Sequence, residues 1–319
     1  MILSPAVESD LPQLVDLVNR CHVVDGPNIR VEVEEFRDEL NSSLTTMSRD
    51  VRVYRDDDRV TGVVWTIHLP SSESPQRCDI EGYVDPIMRG RGLGRQLLTW
   101  GVDHARELLT SVPGHPERAI RTTRTSTNLS AAALHRELGF TDVRWFDDLE
   151  RSLVDIPTPV RVPGITFEPW PSDDEDEDRV RRVKNSAFTD HWGSVPTTAD
   201  GWREMVHGFA GRPDLSSIAR DRTSGDVVGL LLTRRYPADD DVTGRREAWI
   251  NTLGTLSSHR GRGIATALLI DALHRYRHHG MTHAMIGVDA DNPSGAHRLY
   301  RSLGFSDHVR LVTSEIVLS

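Results

Sequence analysis

Residues 84–105, VDPIMRGRGLGRQLLTWGVDHA, and residues 255–276, TLSSHRGRGIATALLIDALHRY, carry one pattern twice, with the RGRG cores starting at Arg89 and Arg260. A second pair follows in the same order: TNLSAAALHRELGF ends at Phe140 and DNPSGAHRLYRSLGF ends at Phe305. Two ordered matches at nearly one offset make a tandem duplication, and a repeat of this length means two copies of one domain. Each RGRG core joins an apolar run to an amphipathic helix pattern.

The surrounding segments repeat as well. Residues 2–7 read as a strand and 10–20 as a helix with Leu11, Leu14, Val15 and Val18 on one face; 165–169 and 177–188 are their counterparts. Hairpins follow at 51–55 and 60–68 around a turn at 56–58, and at 217–220 and 227–234 around Gly225. The order predicts a mixed α/β (α+β) fold, two tandem domains each with a mostly antiparallel sheet flanked by helices. The stretch DIPTPVRVPGI, with three prolines and a glycine, breaks helices and central strands. It places the domains at 1–155 and 165–319 with a linker at 156–164. The following SDDEDED reads as a solvated run entering a helix whose first turn favours acids.

Composition narrows the function. The chain has 319 residues, about two domains at the usual size. Its net charge of −10 argues against general binding to a phosphate backbone, so no nucleic-acid partner is expected. No apolar run approaches the ~20 residues that span a bilayer, and MILSPAVESDL lacks a leader pattern. Two cysteines, Cys21 and Cys78, form no disulfide framework and no metal-ligand spacing; a cytoplasmic address and no metal are expected.

A glycine-rich turn opening a helix presents free backbone N–H groups backed by the helix dipole, which suits a pyrophosphate. Gly90, Gly92 and Gly94, and Gly261, Gly263 and Ala265, allow that curl. Neither a dinucleotide fingerprint nor a Walker motif fits, since Arg95 and Thr266 take the last glycine's place and no Gly-Lys-Ser/Thr follows.

R-x-x-G-x-G/A between strand and helix, followed by an Asn and LYRSLGF, resembles the GNAT superfamily of acetyl-CoA-dependent N-acetyltransferases, over almost the whole chain. The tandem layout resembles mycothiol synthases and other two-domain acetyltransferases. The resemblance implies acetyl-CoA as cofactor. Its pantetheine arm would pair with Leu253, Gly254, Thr255 and Leu256, its pyrophosphate would sit on Arg260, Gly261, Arg262, Gly263, Ile264 and Ala265, and Asn292 would bond the pantetheine region. In the first half the matching positions are Tyr83, Val84, Asp85, Arg89, Gly90, Arg91, Gly92, Leu93 and Gly94, with Asn128 after them.

Family enzymes commonly protonate the departing thiolate with a Tyr in the last helix, and Tyr300 holds that position, eight residues after Asn292. The first half has His135 there, seven residues after Asn128. The second domain is therefore expected to be catalytic and the first a cofactor-binding or structural copy. For a base, alternation puts Glu247, Trp249 and Asn251 on one strand face. Glu247 is the candidate, Asn251 could hold a relaying water, and Glu81 corresponds in the first half. Mycothiol synthases carry an acid nearer the place of Trp249, which weakens that assignment. Asp190, His191 and Trp192, in the loop after the first helix of the second half, are the candidate substrate wall. The expected reaction is acetyl transfer to a primary amine of a small molecule in a ternary complex; the alternatives are acetylation of a cysteinyl pseudodisaccharide, as in mycothiol synthesis, or a non-catalytic acyl-CoA-binding module.

Overall fold

A computed structural model describes residues 2–26, 29–72, 75–111, 113–114, 116–291 and 295–318. The chain forms two compact units, 1–146 with 309–319, and 147–308.

The first unit begins with β1 (Ile2–Pro5), followed by α1 (Leu11–Asp25), α2 (Val33–Leu40) and α3 (Met47–Asp50). The hairpin of β2 (Val51–Asp56) and β3 (Arg59–Leu69) turns at Asp57, whose φ of 51° is the left-handed conformation such tight turns need. Then come β4 (Gln76–Val84), α4 (Leu93–Ser111), β5 (Arg118–Thr125), α5 (Leu129–Glu137) and β6 (Thr141–Ser152). Strands β1 to β4 pair antiparallel in succession, and β4 pairs parallel with β5. Leu11, Leu14, Leu17, Val18 and Cys21 turn one side of α1 into the core with Phe36 and Trp65. Each such fully buried aliphatic side chain contributes about 1.5–3 kcal/mol.

The second unit repeats this plan: β7 (Ile165–Pro169), α6 (Asp174–Ala187), α7 (Ala199–His207), β8 (Ser217–Asp221), β9 (Val227–Arg234), α8 (Asp240–Thr243), β10 (Glu247–Thr255), α9 (Ile264–His278), β11 (His283–Asp289), α10 (Ala296–Ser302) and β12 (Ser306–Leu318). Again the pairing is antiparallel from β7 to β10 and parallel between β10 and β11. The acidic run opens α6: Asp173 Oδ1 accepts the Asp176 N–H at 2.8 Å and four acids occupy the first turn, complementing the dipole. Val180 and Ala187 are its buried positions, the rest of the helix meeting water more freely.

The expected boundary at 156–164 is corrected. Each half sends its closing strand to the other unit. Residues 311–318 of β12 pair antiparallel with β5, where Glu315 Oε2 meets Arg121 Nε at 2.6 Å and Ile316 and Leu318 pack on the first core. Residues 147–152 of β6 lie beside β11, with Leu149 fully buried in the second core. Within the proline-rich stretch Val162 and Ile156 pack on that same core, while residues 158–161 are exposed. Apolar burial decides both placements: the strand goes where its inward side chains find a core. Among the described residues no helix is long and apolar enough to cross a membrane, and no group of three His, Cys, Asp or Glu could hold a metal.

Candidate active site

Both RGRG turns take one conformation. Gly90 and Gly92 have φ of 76° and 83°, Gly261 and Gly263 of 76° and 82°. A Cβ on Gly90, Gly261 or Gly263 would touch nothing within 4 Å, so backbone conformation and not space requires glycine there. Gly263 caps α9 without any side-chain bond, which leaves the first amides of Ile264, Ala265 and their neighbours for an anion.

The first arginine of each turn serves the fold through its side chain. Arg89 Nε donates to the Val84 carbonyl at 3.1 Å, and its two terminal nitrogens reach Asp25 at 2.7 Å each. Arg260 copies this, donating to the carbonyls of Thr255 at 3.3 Å and Ala187 at 2.8 Å. Each thus ties strand end to first helix. Asp85 is likewise structural, accepting from Ile87 N–H and pairing with Arg20 and Arg59. Arg91 is exposed, and Arg262 donates to the Pro163 carbonyl at 3.3 Å.

Ahead of each turn the sheet splits. Parallel pairing of β4 and β5 ends at Ile80 and Thr122, that of β10 and β11 at Ile250 and Ile286. Beyond those rungs, among the described residues, Gly82 to Val84 pair only with β3, and Leu253 to Thr255 only with β9. The other backbone edge of each segment faces the opening, where an extended amide-bearing chain could bond to it.

In the first unit the opening is a cavity of about 460 Å³ bordered by Glu81, Tyr83, Arg89, Thr123, Leu134 and His135. Solvent reaches Glu81 through the cavity, yet protein surrounds it; that confinement, with Glu39 and Asp79 nearby, raises its pKa to about 8. Tyr83 OH bonds His22 Nε2 at 3.1 Å, and its ring stacks on Trp65. Asn128 is committed to capping α5, its Oδ1 accepting the Ala131 N–H at 3.0 Å. His135 is buried, and burial, with Arg124 adding to it, lowers its pKa to about 4.

In the second unit Tyr300 occupies the position of His135. It lies on α10 against Phe305, ring centroids 5.9 Å apart, and burial raises its pKa to about 12. It therefore keeps its proton throughout the working range. Asn292, the expected pantetheine partner, lies outside the described residues. Asn251 is the extra residue of a β-bulge, the register against β9 shifting between Ile250 and Thr252. Alternation therefore still places Glu247 and Trp249 on one face, while the bulge interrupts it at Asn251. Glu247 stands at the start of β10 opposite His283, three rungs before the split and so ~10 Å from it. Burial, with Asp239 nearby, raises its pKa to about 7, but the structure does not bring it to the opening.

Of the loop expected to wall the substrate, the residue that approaches β10 is Phe188, which precedes Asp190, His191 and Trp192. His191 lies against Phe188, centroids 5.1 Å apart, and a Cβ on Gly254 would come within 2.8 Å of the Phe188 ring. His191 and Trp192 are half-buried and Asp190 is exposed. One acid escaped the sequence reading. Asp148, within β6, stands over Gly287 one residue past the last parallel rung, and a Cβ at 287 would lie 3.1 Å from its Oδ1.

Comparison with known proteins agrees with this geometry. The description "Acetyltransferase (GNAT) family" matches residues 11–140 and again 178–305. Mycothiol acetyltransferase of Tsukamurella paurometabola is 29% identical over 244 residues, covering 73% of this chain and 76% of that one. Mycothiol acetyltransferase of Acidothermus cellulolyticus is 28% identical over 324 residues, covering 95% and 89%. The crystal structure of a GCN5-related N-acetyltransferase from Sphaerobacter thermophilus superposes with a TM-score of 0.77 at 25% identity, over 99% of this chain and 95% of that one. A tandem GNAT protein from the clavulanic acid biosynthesis pathway shares the fold, with a TM-score of 0.74 at 17% identity over 99% and 98%. With both halves matched and the site geometry repeated in each, the chain belongs to the GNAT acetyltransferase family and is a tandem N-acetyltransferase.

Proposed function

We propose that the chain moves the acetyl group of acetyl-CoA to a primary amine of a small molecule, by direct attack in a ternary complex, and that the second unit does the chemistry. Acetyl-CoA supplies an acyl group activated as a thioester. The amides of 261–265 would hold its pyrophosphate, and the open edge of Leu253, Gly254 and Thr255 its pantetheine arm. Two observations about the residues support this fit: the positive-φ glycines, whose turn has room for an anion, and the strand edge without a partner strand.

The observation that carries the choice of unit is the contrast between Tyr300 and His135. A departing thiolate has a pKa near ~8.5 and is stabilised by a donor that still holds its proton. Tyr300 keeps its phenolic proton at any working pH, whereas His135, with its pKa at about 4, is the neutral imidazole at neutrality, whose remaining N–H is a far weaker acid than the imidazolium's or a phenol's. The loop bearing Asp190, His191 and Trp192 would border the acceptor. The names of the curated relatives favour one specific acceptor, the cysteinyl pseudodisaccharide acetylated in mycothiol synthesis; buried thiols at Cys21 and Cys78 suit a reducing, cytoplasmic setting.

The test is release of CoA thiol from acetyl-CoA with a panel of primary amines that includes that pseudodisaccharide, alongside the thermal shift caused by acetyl-CoA alone. The reading expects a shift and amine-dependent release. Neither a shift nor release with any amine would remove it.

A further inference from the structure

Alternation sorts the side chains at the split of the second unit onto two faces. Ala248, Ile250, Ala284, Ile286 and Val288 point into the core beneath α9. Trp249, Met285 and Gly287 therefore point to the opposite face. Leu230 and Leu232 share a core with α6 and α7, and their register partners Gly254 and Thr252 put the cofactor strand on that same face. On β6 the split is equally clean. Leu149 enters the core and Asp147 approaches His297 of α10 at 3.5 Å, so Asp148 between them turns to the face of α6 and α7.

The acid is placed there by the absence of a side chain at 287. Asp148 Oδ1 borders the space where that side chain would stand, 3.1 Å from the position of its Cβ. It does so at the first position where β10 and β11 no longer pair, which is where the reactive end of an arm lying along Leu253 to Thr255 would arrive. Among the described residues Asp148 has no hydrogen bond and no cationic partner, unlike Glu150 on the same strand, which pairs with Arg245 and His308. Burial, and secondarily the charge of Asp147, raise the pKa of Asp148 to about 6, so it is ionised at neutrality and more basic than an ordinary carboxylate.

We propose that Asp148, delivered by the strand that the first half of the sequence contributes to the second unit, is the carboxylate that receives the acceptor's ammonium group and removes its proton. The inference rests on the reading of the second unit as the site of amine acetylation. One N–H proton of R–NH3⁺ passes to Asp148 Oδ. The neutral amine then forms the C–N bond at the thioester carbonyl as the C–S bond breaks, the sulfur takes the Tyr300 proton, the nitrogen's surplus proton returns to Tyr300, and Asp148 releases the proton it took to solvent. The ammonium class follows from the pairing: an unpartnered carboxylate at the mouth of the split is completed by a cation.

The experiment uses two small acceptors at pH 7.5 with the full chain, reading CoA release. Ethanolamine is protonated at that pH and needs a base; hydroxylamine is already neutral and does not. Asp148→Asn should lower release with ethanolamine by about 100-fold and leave release with hydroxylamine within about threefold. Asp148→Glu should recover part of the ethanolamine rate, and the acetyl-CoA thermal shift should be unchanged in both variants. Equal losses with both amines, no loss with ethanolamine, or loss of the acetyl-CoA shift would each overturn the assignment. If the natural protein binds acetyl-CoA but releases CoA with neither of these amines nor with any other amine of the panel, the amine reading itself fails and the role of Asp148 goes with it.

Discussion

The two units are most alike at their turns and least alike one residue beyond the last parallel rung. In the first unit that residue is Thr123, whose hydroxyl bonds Thr313 of the incoming strand at 3.0 Å. In the second it is Gly287, with the unpartnered Asp148 Oδ1 3.1 Å from where its Cβ would be. The closing helices differ in parallel, neutral His135 against protonated Tyr300. A duplicated scaffold has kept its glycine turn and split sheet twice, while the groups that could move protons have diverged. The first unit has its own acid in Glu81, while Thr123 bonds Thr313 and His135 Nδ1 lies 3.4 Å from the Ser314 hydroxyl.

Matched substitutions should expose this asymmetry. Gly263→Val and Gly92→Val impose the same strain on left-handed backbone, about 1–2 kcal/mol each. The account expects the former to lower kcat/KM for acetyl-CoA by about 100-fold and the latter to leave it within about threefold, measured by CoA release. A second contrast concerns pH. His135 is neutral in the fold with its pKa at about 4, below the unfolded value of 6.5. A depressed value means that its contribution is present above 6.5 and is lost as pH falls toward 4, by at most about 3 kcal/mol. Urea unfolding at pH 7.5 and pH 5 should show that loss in the natural protein and less of it in His135→Gln.

Smaller effects sharpen the comparison of the turns. Arg89 makes a two-pronged bond to Asp25 where Arg260 bonds only carbonyls. Arg89→Lys should therefore cost about 1–2 kcal/mol of stability and Arg260→Lys about 1 kcal/mol or less, read as shifts in the urea midpoint. The smallest is Gly287→Ala. Its Cβ would crowd Asp148 Oδ1 at 3.1 Å and displace it by a few tenths of an ångström, for a loss of about threefold in turnover. Thr123→Ala should change turnover less.

Much of this was legible in residue order alone. The RGRG turns and the two Leu-Gly-Phe endings show up because a turn with φ above +70° admits essentially only glycine, and because the helix before each ending leaves a fixed spacing to Tyr300 or His135. The exchange of β6 and β12 was not legible, since a period-2 pattern says which side chains face a core but not which core. Neither was Asp148. It lies in an ordinary strand, and its exposure to the split depends on Gly287, far along the chain. Glu247 shows the converse: its residue type suits a base, but only the register with His283 reveals its distance from the opening.

The central claim, that the second unit transfers the acetyl group with Tyr300 as proton donor, meets its most direct test in kcat for Tyr300→Phe against His135→Phe on one acceptor at saturating acetyl-CoA. The account predicts a loss of about 10- to 100-fold for Tyr300→Phe and less than about threefold for His135→Phe. Full turnover by Tyr300→Phe, or its loss in His135→Phe, would contradict it.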